Sequence, residues 1–275
     1  MTLVDALLPL CGLLALMLVM AWAWARQRST RNAGLVDALW SAGIGALAVS
    51  YAALCSGWLP RRVLVAALAG VWSVRLTLHI LSRVGRERED GRYADLRRRL
   101  GSRFDRAMFW YFQFQALLAS LLSLVFFLPS SATEAGFQLR DVVAVGIWTL
   151  ALAGEAVADR QLRAWRAVPA NAGRTCRSGL WRYSRHPNYF FEWLHWLTYP
   201  VLCIGLPFGW TLWFAPALML LLVLKVTGIP PTEEQALRSR GVDYRSYQAT
   251  TNAFFPGPPR SSRSTAEHPD HVSLS

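Results

Sequence analysis

Long apolar stretches separated by short loops, every second one rich in arginine, constrain this chain more than any other feature. A hydrocarbon core of about 30 Å takes roughly 20 helical residues to cross. Seven segments qualify: 3–25, 35–56, 62–82, 107–129, 139–161, 189–206 and 207–226. In a bilayer no water satisfies backbone N–H and C=O groups, so helices are the expected form. The chain reads as all-α, a polytopic membrane protein built as a bundle of about seven transmembrane helices. Only Gly205, Pro207 and Gly209 separate the sixth segment from the seventh, which predicts a tight helical hairpin. Segment 3–25 lacks a basic leader and a small-residue cleavage site, so it reads as a membrane helix and not as a removed signal. Composition agrees: 53% of residues are hydrophobic and 17% charged, a poor balance for a soluble domain.

The net charge of +12 is almost wholly arginine, with Lys225 the only lysine. Arg26, Arg28 and Arg31 follow the first helix, and nine arginines lie between Arg83 and Arg106. Arg163, Arg166, Arg174, Arg177, Arg182 and Arg185 lie between the fifth and sixth segments, whereas the alternate loops hold little beyond Arg61, Arg62 and Arg140. The positive-inside rule then predicts an amino terminus outside and a cytoplasmic carboxyl terminus, with a bacterial inner membrane as the expected location. Basic loops between apolar segments account for the charge, so no nucleic-acid partner is implied; the expected partner is the lipid bilayer. The four cysteines are scattered and suggest neither a disulfide framework nor a metal. Residues 1–34 hold the first helix and its loop, 35–260 the main membrane domain, and 261–275 a polar tail expected to be disordered.

Polar residues inside the apolar segments locate the chemistry. Glu155, Asp159, Arg163 and Arg166 are spaced by four, four and three, which puts them on one helical face. Over about 16 Å of rise that face runs from the membrane interior to its surface. It is either a ladder of i,i+4 ion pairs or a ligand face, and ionisable groups at membrane depth cost enough that they usually mark function. Asn188, Glu192, His195 and Tyr199 form a second stripe, with His195 about 10 Å along the helix from Asn188. Before it runs the basic, aromatic turn GLWRYSRHPNYFFE (179–192), containing Tyr183, Arg185, His186 and Tyr189. After the last apolar segment, Glu233 and Glu234 open an amphipathic helix that Gly241 can end, followed by Tyr244, Tyr247 and the stops Pro256, Pro258 and Pro259. This segment is either a surface helix or a cytoplasmic C-terminal lid folded back over the basic turn. Asp37 with Trp40, and Arg75 with His79, either pair together or line a cavity. The loop 85–106 reads mostly as basic surface, although Arg92 and Tyr93 can touch a ligand.

With these residues assembled, the chain resembles the bacterial branch of the steroid 5-alpha-reductase-like membrane family. The resemblance spans about Leu35 to Arg260 and rests on VDALW (36–40), DRQLRAW (159–165), the turn at 179–192, GIPPTEE (228–234) and YRSYQATTNAFFP (244–256). It implies seven transmembrane helices and an oxidoreductase that uses NADPH to reduce the carbon–carbon double bond of an enone in a steroid-like or other lipophilic substrate. It further implies that Asp159 and Arg166 bind NADPH, with Asn188 and Glu192 holding the nicotinamide carboxamide and Arg174 on the adenosine side. Arg163, Tyr183, Arg185, His186, Tyr189, Glu233, Tyr244 and Tyr247 complete the expected cofactor site. Steroid-reducing members polarise the substrate carbonyl with a Glu and a Tyr; that pair is not placed here, and Asp37 and His79 are the catalytic candidates. The alternative is an S-adenosylmethionine-dependent methyltransferase of the isoprenylcysteine carboxyl methyltransferase type, which resembles the chain at RHPNY, Glu192, Glu233 and the final tyrosines. A second alternative is a non-catalytic lipid-binding membrane protein, in which the polar stripes pair only with each other.

Overall fold

A computed structural model describes residues 3–84 and 91–260. The tail at 261–275 and the loop residues 85–90 therefore lie outside the described residues, as does the side chain of Arg92. Among the described residues nine α-helices follow in order: α1 (Leu3–Thr30), α2 (Leu35–Leu54), α3 (Leu59–Val84), α4 (Gly91–Leu100), α5 (Phe104–Ser131), α6 (Leu139–Ala167), α7 (Pro187–Leu202), α8 (Phe214–Leu221) and α9 (Ile229–Thr250). Among the described residues there is no strand, and six helical stretches are long and apolar enough to cross a membrane. The protein is an all-α, multi-pass integral membrane protein.

The chain divides into two compact units, residues 1–152 with 193–220, and residues 153–192 with 221–275. In the first unit α2 packs on α3 and α5, and α1 on α5. Polar groups face inward as interhelical glue. Ser73 Oγ donates to the Ser41 carbonyl at 2.8 Å, Ser41 Oγ meets Thr77 Oγ1 at 2.8 Å, and Tyr51 Oη lies 3.2 Å from Ser123 Oγ. Gly45 allows this approach, since a Cβ there would stand 2.2 Å from Ser73 Oγ. Leu10, Leu14, Leu18 and Trp22 of α1, and Val63, Val71, Val74 and Leu78 of α3, are exposed, the surface expected where lipid is the solvent.

The sixth expected span differs from its sequence reading. α7 has 16 residues, about 24 Å of rise, short of the hydrocarbon core. Proline explains both ends. Pro187 opens the helix, while Pro200 withholds a backbone N–H two residues before its end. The seventh is no continuous α-helix either: a 3-10 turn at Gly209–Trp213 leads into α8, which closes in a π-turn at Leu222–Val226. α9 behaves as Gly241 suggests, breaking there at φ 49°, ψ −118° and resuming through the two tyrosines.

The few arginines of the alternate loops are all structural. Arg62 Nε and Nη2 donate to the Ala52 and Ala53 carbonyls at the end of α2, at 2.6 and 2.9 Å. Arg140 Nη1 donates to the Ile204 carbonyl at 2.6 Å. Arg61 is fully buried, bonding to the Glu134 and Gly136 carbonyls at 3.2 Å and to Asp141 Oδ2 at 3.4 Å. Asp141 in turn reaches back to the Gln138 N–H at 2.7 Å and caps α6. Replacing Arg61 by Met leaves Asp141 buried beside no cation. The expected loss is about 3 kcal/mol or more, measured as a drop in the unfolding midpoint of the detergent-solubilised protein relative to Arg62→Met.

Candidate functional site

The second unit collects the motif residues. The basic turn is clamped to α6 at its start: the Leu180 N–H donates to Gln161 Oε1 at 2.9 Å, and Trp181 Nε1 to the Ala158 carbonyl at 2.9 Å. Gly179 sits at φ 59°, a left-handed backbone that favours glycine, and the Gln161 amide lies 2.4 Å from where its Cβ would stand. The C-terminal segment folds back onto the same turn. The Arg185 N–H donates to the Asn252 carbonyl at 2.9 Å, Ser184 Oγ to the Phe254 carbonyl at 2.8 Å, and the Gly257 N–H to the Tyr183 carbonyl at 3.0 Å. Tyr247 Oη donates to the Trp181 carbonyl and, at 3.1 Å, to the Ser184 carbonyl.

Glu233 is the hub. Its Oε1 accepts from Arg185 Nε at 2.6 Å, His186 Nε2 at 3.2 Å and Tyr244 Oη at 3.2 Å, while Oε2 accepts from Gln248 Nε2 at 2.8 Å. Arg185 Nη1 also donates to the Thr251 carbonyl at 2.6 Å and the Gln248 carbonyl at 3.1 Å. His186 is buried and stacks on the Tyr189 ring at 5.3 Å, and Tyr189 Oη meets Thr232 Oγ1 at 3.1 Å. Six expected cofactor ligands thus hold one another or the neighbouring backbone: Arg185, His186, Tyr189, Glu233, Tyr244 and Tyr247. α9 carries six charged side chains from Glu233 to Arg245, so this cluster lies outside the apolar spans. Burial raises the carboxyl pKa of Glu233, but the hydrogen bonds from His186, Arg185 and Gln248 and the Arg185 charge outweigh it, bringing it down to about 2. Burial also lowers the pKa of His186 from its ordinary value, against the pull of Glu233.

The remaining candidates are arranged differently. Asp159 is buried on α6 and accepts a long bond from Asn188 Nδ2 at 3.4 Å; Asn188 Oδ1 caps the Tyr189 N–H at 3.0 Å. Glu155 is buried on the same face, and Glu192 is half-buried on α7. Arg163, Arg166, Arg174 and Tyr183 are exposed. Arg240 escapes the sequence reading. It is half-buried, its guanidinium lies 4.9 Å from the Tyr244 ring centroid, and its charge is felt by His186. Its position just before Gly241, on a helix with several solvated arginines, carried no distinguishing pattern.

In the first unit, Asp37 Oδ1 accepts from the Tyr93 hydroxyl at 2.9 Å. That hydroxyl lies 3.3 Å from Tyr111 Oη, which accepts from Gln115 Nε2 at 2.8 Å. The acid–tyrosine pair joins residues 56 positions apart, which is why spacing did not reveal it. His79 is half-buried on α3. His195 is fully buried, stacked on Trp72 at 4.7 Å and 3.1 Å from Tyr199 Oη through Nε2, with no hydrogen-bond partner for Nδ1 among the described residues. No group of three or more His, Cys, Asp or Glu side chains able to hold a metal ion occurs among the described residues.

Comparison with known proteins gives a family and nothing finer. A family described as "Protein of unknown function (DUF1295)" matches residues 23–251, most of the chain, and the chain belongs to it. No curated protein and no solved structure matches.

The Glu233 hub carries a pH dependence whose sign is fixed. The folded pKa of Glu233, about 2, lies below its ordinary 4.5, so its contribution is complete above pH 4.5 and is lost as pH falls towards 2. His186, held below its ordinary 6.5, acts in the same direction: stability is lost as pH falls below 6.5. Thermal unfolding between pH 7 and pH 3 is expected to show a falling midpoint that flattens in Glu233→Gln. At pH 7 that variant is expected to lose about 2 kcal/mol or more.

Proposed function

We propose that this DUF1295 protein is an NADPH-dependent reductase of the carbon–carbon double bond of an enone in a steroid-like or other lipophilic substrate. The observation that carries the reading is the polar face of α6, which runs from buried Asp159, beside the Asn188 amide, to the exposed Arg163 and Arg166. A carboxylate and a carboxamide at one end suit a nicotinamide carboxamide. Guanidinium forks at the other suit phosphates. NADPH, when bound, supplies a hydride.

The chain's own groups do the rest. Arg166, with Arg163 and Arg174, neutralises phosphate charge, and exposed Tyr183 offers a ring face for stacking. Asn188, Asp159 and Glu192 orient the carboxamide. Arg185, His186, Tyr189, Glu233, Tyr244 and Tyr247 act mainly by holding the basic turn and the C-terminal segment rigid. Reducing the enone double bond also needs a proton: given to the developing enolate oxygen it yields an enol, which tautomerises to carry the proton on the α-carbon. Asp37 and His79 are the groups proposed for this, joined by Tyr93, whose hydroxyl is already set on Asp37. We assign the arginine-rich loops to the cytoplasmic face of a bacterial inner membrane, with the amino terminus outside.

Thermal shift of the detergent-purified protein with NADPH, NADH and S-adenosylmethionine tests the cofactor. NADPH at a hundredfold its Kd is expected to add about 2.7 kcal/mol of stability, an effect lost in Arg166→Ala and Asn188→Ala. A shift with S-adenosylmethionine alone would replace the reductase by the methyltransferase. In a screen of lipophilic enones, Tyr93→Phe and His79→Ala are expected to keep the NADPH shift while turnover falls roughly 100-fold or more. Unchanged turnover in both variants removes them from the chemistry.

A further inference from the structure

We propose that His195 binds a hydroxyl of the protein's lipophilic ligand through its Nδ1, in the core of the first unit. The proposal deepens the reductase reading by giving its substrate a second polar group, and only the placing of the enone rests on that reading. His195 is 1% exposed. Its Nε2 lies 3.1 Å from the Tyr199 hydroxyl, one turn along α7. Its Nδ1 is buried too, and among the described residues it meets no hydrogen-bond partner. Thr198 Oγ1, within the same turn, is buried and orphaned in the same sense. A buried polar atom left unpaired bears its full desolvation cost, and an ionisable side chain at membrane depth adds to it. Packing alone does not ask for an imidazole here. The neighbours are rings: Trp72 stacks on His195 at 4.7 Å with 11° between the planes, while Trp196 and Tyr199 stand edge-on at 5.8 and 5.2 Å. A phenyl ring makes such contacts without an unpaired nitrogen.

A neutral imidazole carries one N–H and one acceptor nitrogen. When the Tyr199 hydroxyl donates to Nε2, the proton sits on Nδ1, which then needs an acceptor. When Nε2–H donates to Tyr199, Nδ1 is itself the acceptor. A hydroxyl serves both forms and a carbonyl only the first, so an alcohol is the group the site selects. Trp72, Trp196 and Tyr199, all fully buried, surround it with ring surface that suits a hydrocarbon frame. Trp72, Arg75 and His79 recur at i, i+3 and i+7 on one face of α3. Burial deepens along that face, from half-buried His79 and Arg75 to fully buried Trp72. From His79 to Trp72 the helix rises about 10 Å. A molecule whose enone meets His79 reaches His195 with a hydroxyl about that far from its carbonyl, which describes an elongated frame with an oxygen at each end.

Thermal shift of the detergent-purified full chain, with and without NADPH, compares testosterone, an enone whose hydroxyl stands on the ring furthest from its carbonyl, with its deoxy analogue. The hydroxylated probe is expected to bind roughly tenfold more tightly. His195→Phe is expected to bind the two alike and, without ligand, to unfold no earlier than the native chain. His195→Asn and His195→Gln separate the two nitrogens. The asparagine amide ends near the place of Nδ1 and is expected to keep the preference; the glutamine amide ends near that of Nε2 and is expected to lose it. The reverse order overturns the assignment to Nδ1. If the native chain binds neither probe, or does not prefer the hydroxylated one, or if the preference survives His195→Phe, His195 is a core residue and the proposal falls. A His195-dependent preference without any effect of NADPH keeps the site and ends the reductase reading. Reduction of both probes at equal affinity keeps the reductase and removes the site.

Discussion

Hydrocarbon offers no partner to a backbone amide or carbonyl, and the first unit is arranged around that fact. Helices satisfy their interiors. Where they end or break, side chains are recruited: Arg62 covers the last carbonyls of α2, Arg140 covers Ile204, and Arg61 covers two carbonyls of the α5–α6 loop. Indole N–H groups find backbone carbonyls inside the bundle, Trp148 that of Leu68 and Trp193 that of Pro216. The second of these ties Trp193 to the first turn of α8, directly after the 3-10 turn.

The second unit answers a different problem. It carries many arginines and few acids, and two of those acids are used several times. One carboxylate, Glu233, ties the basic turn to α9 through Arg185, His186 and Tyr244 and to Gln248 on its other oxygen. Asp243 serves Arg177 and the Thr175 amide together. Once these acids are committed, the arginines beyond their reach carry charge that the fold itself does not neutralise. That residue of charge distinguishes a surface able to take an anion from one that merely solvates.

Most of the helices were legible because apolar length is a direct consequence of bilayer thickness. The exceptions have local causes. α7 falls short because Pro187 and Pro200 bound it, and the stretch after it loses regular α-geometry over Gly209–Trp213 and Leu222–Val226. Hydropathy counts such residues without asking whether each N–H finds its i−4 carbonyl. The break at Gly241 was legible, since glycine tolerates the backbone found there. For the candidate site the sequence grouped residues along helix faces without giving their partners. Spacing on α6 identified the Asp159–Arg166 face, but the partners of Arg185 and Asp37 lie 48 and 56 residues away. No periodicity reports a pairing at that range, and without it a strut and a ligand look alike.

This distinction bears on the choice between the proposed reductase and its methyltransferase alternative. The methyltransferase alternative rests on RHPNY, Glu192, Glu233 and the final tyrosines. Of these, Arg185, His186, Glu233, Tyr244 and Tyr247 are bonded to one another or to the backbone they brace, and Tyr189 to the Thr232 hydroxyl. Residues spent on bracing a turn say how the turn is built and little about what it receives, so the strongest motif in the sequence is a weak guide to the cofactor. Discrimination falls to groups with uncommitted chemistry, and those are mostly cationic: Arg163, Arg166, Arg174 and Arg240. A sulfonium cofactor brings a positive charge and a single carboxylate. A phosphorylated dinucleotide would bring several negative charges, which exposed arginines attract, whereas they repel a sulfonium.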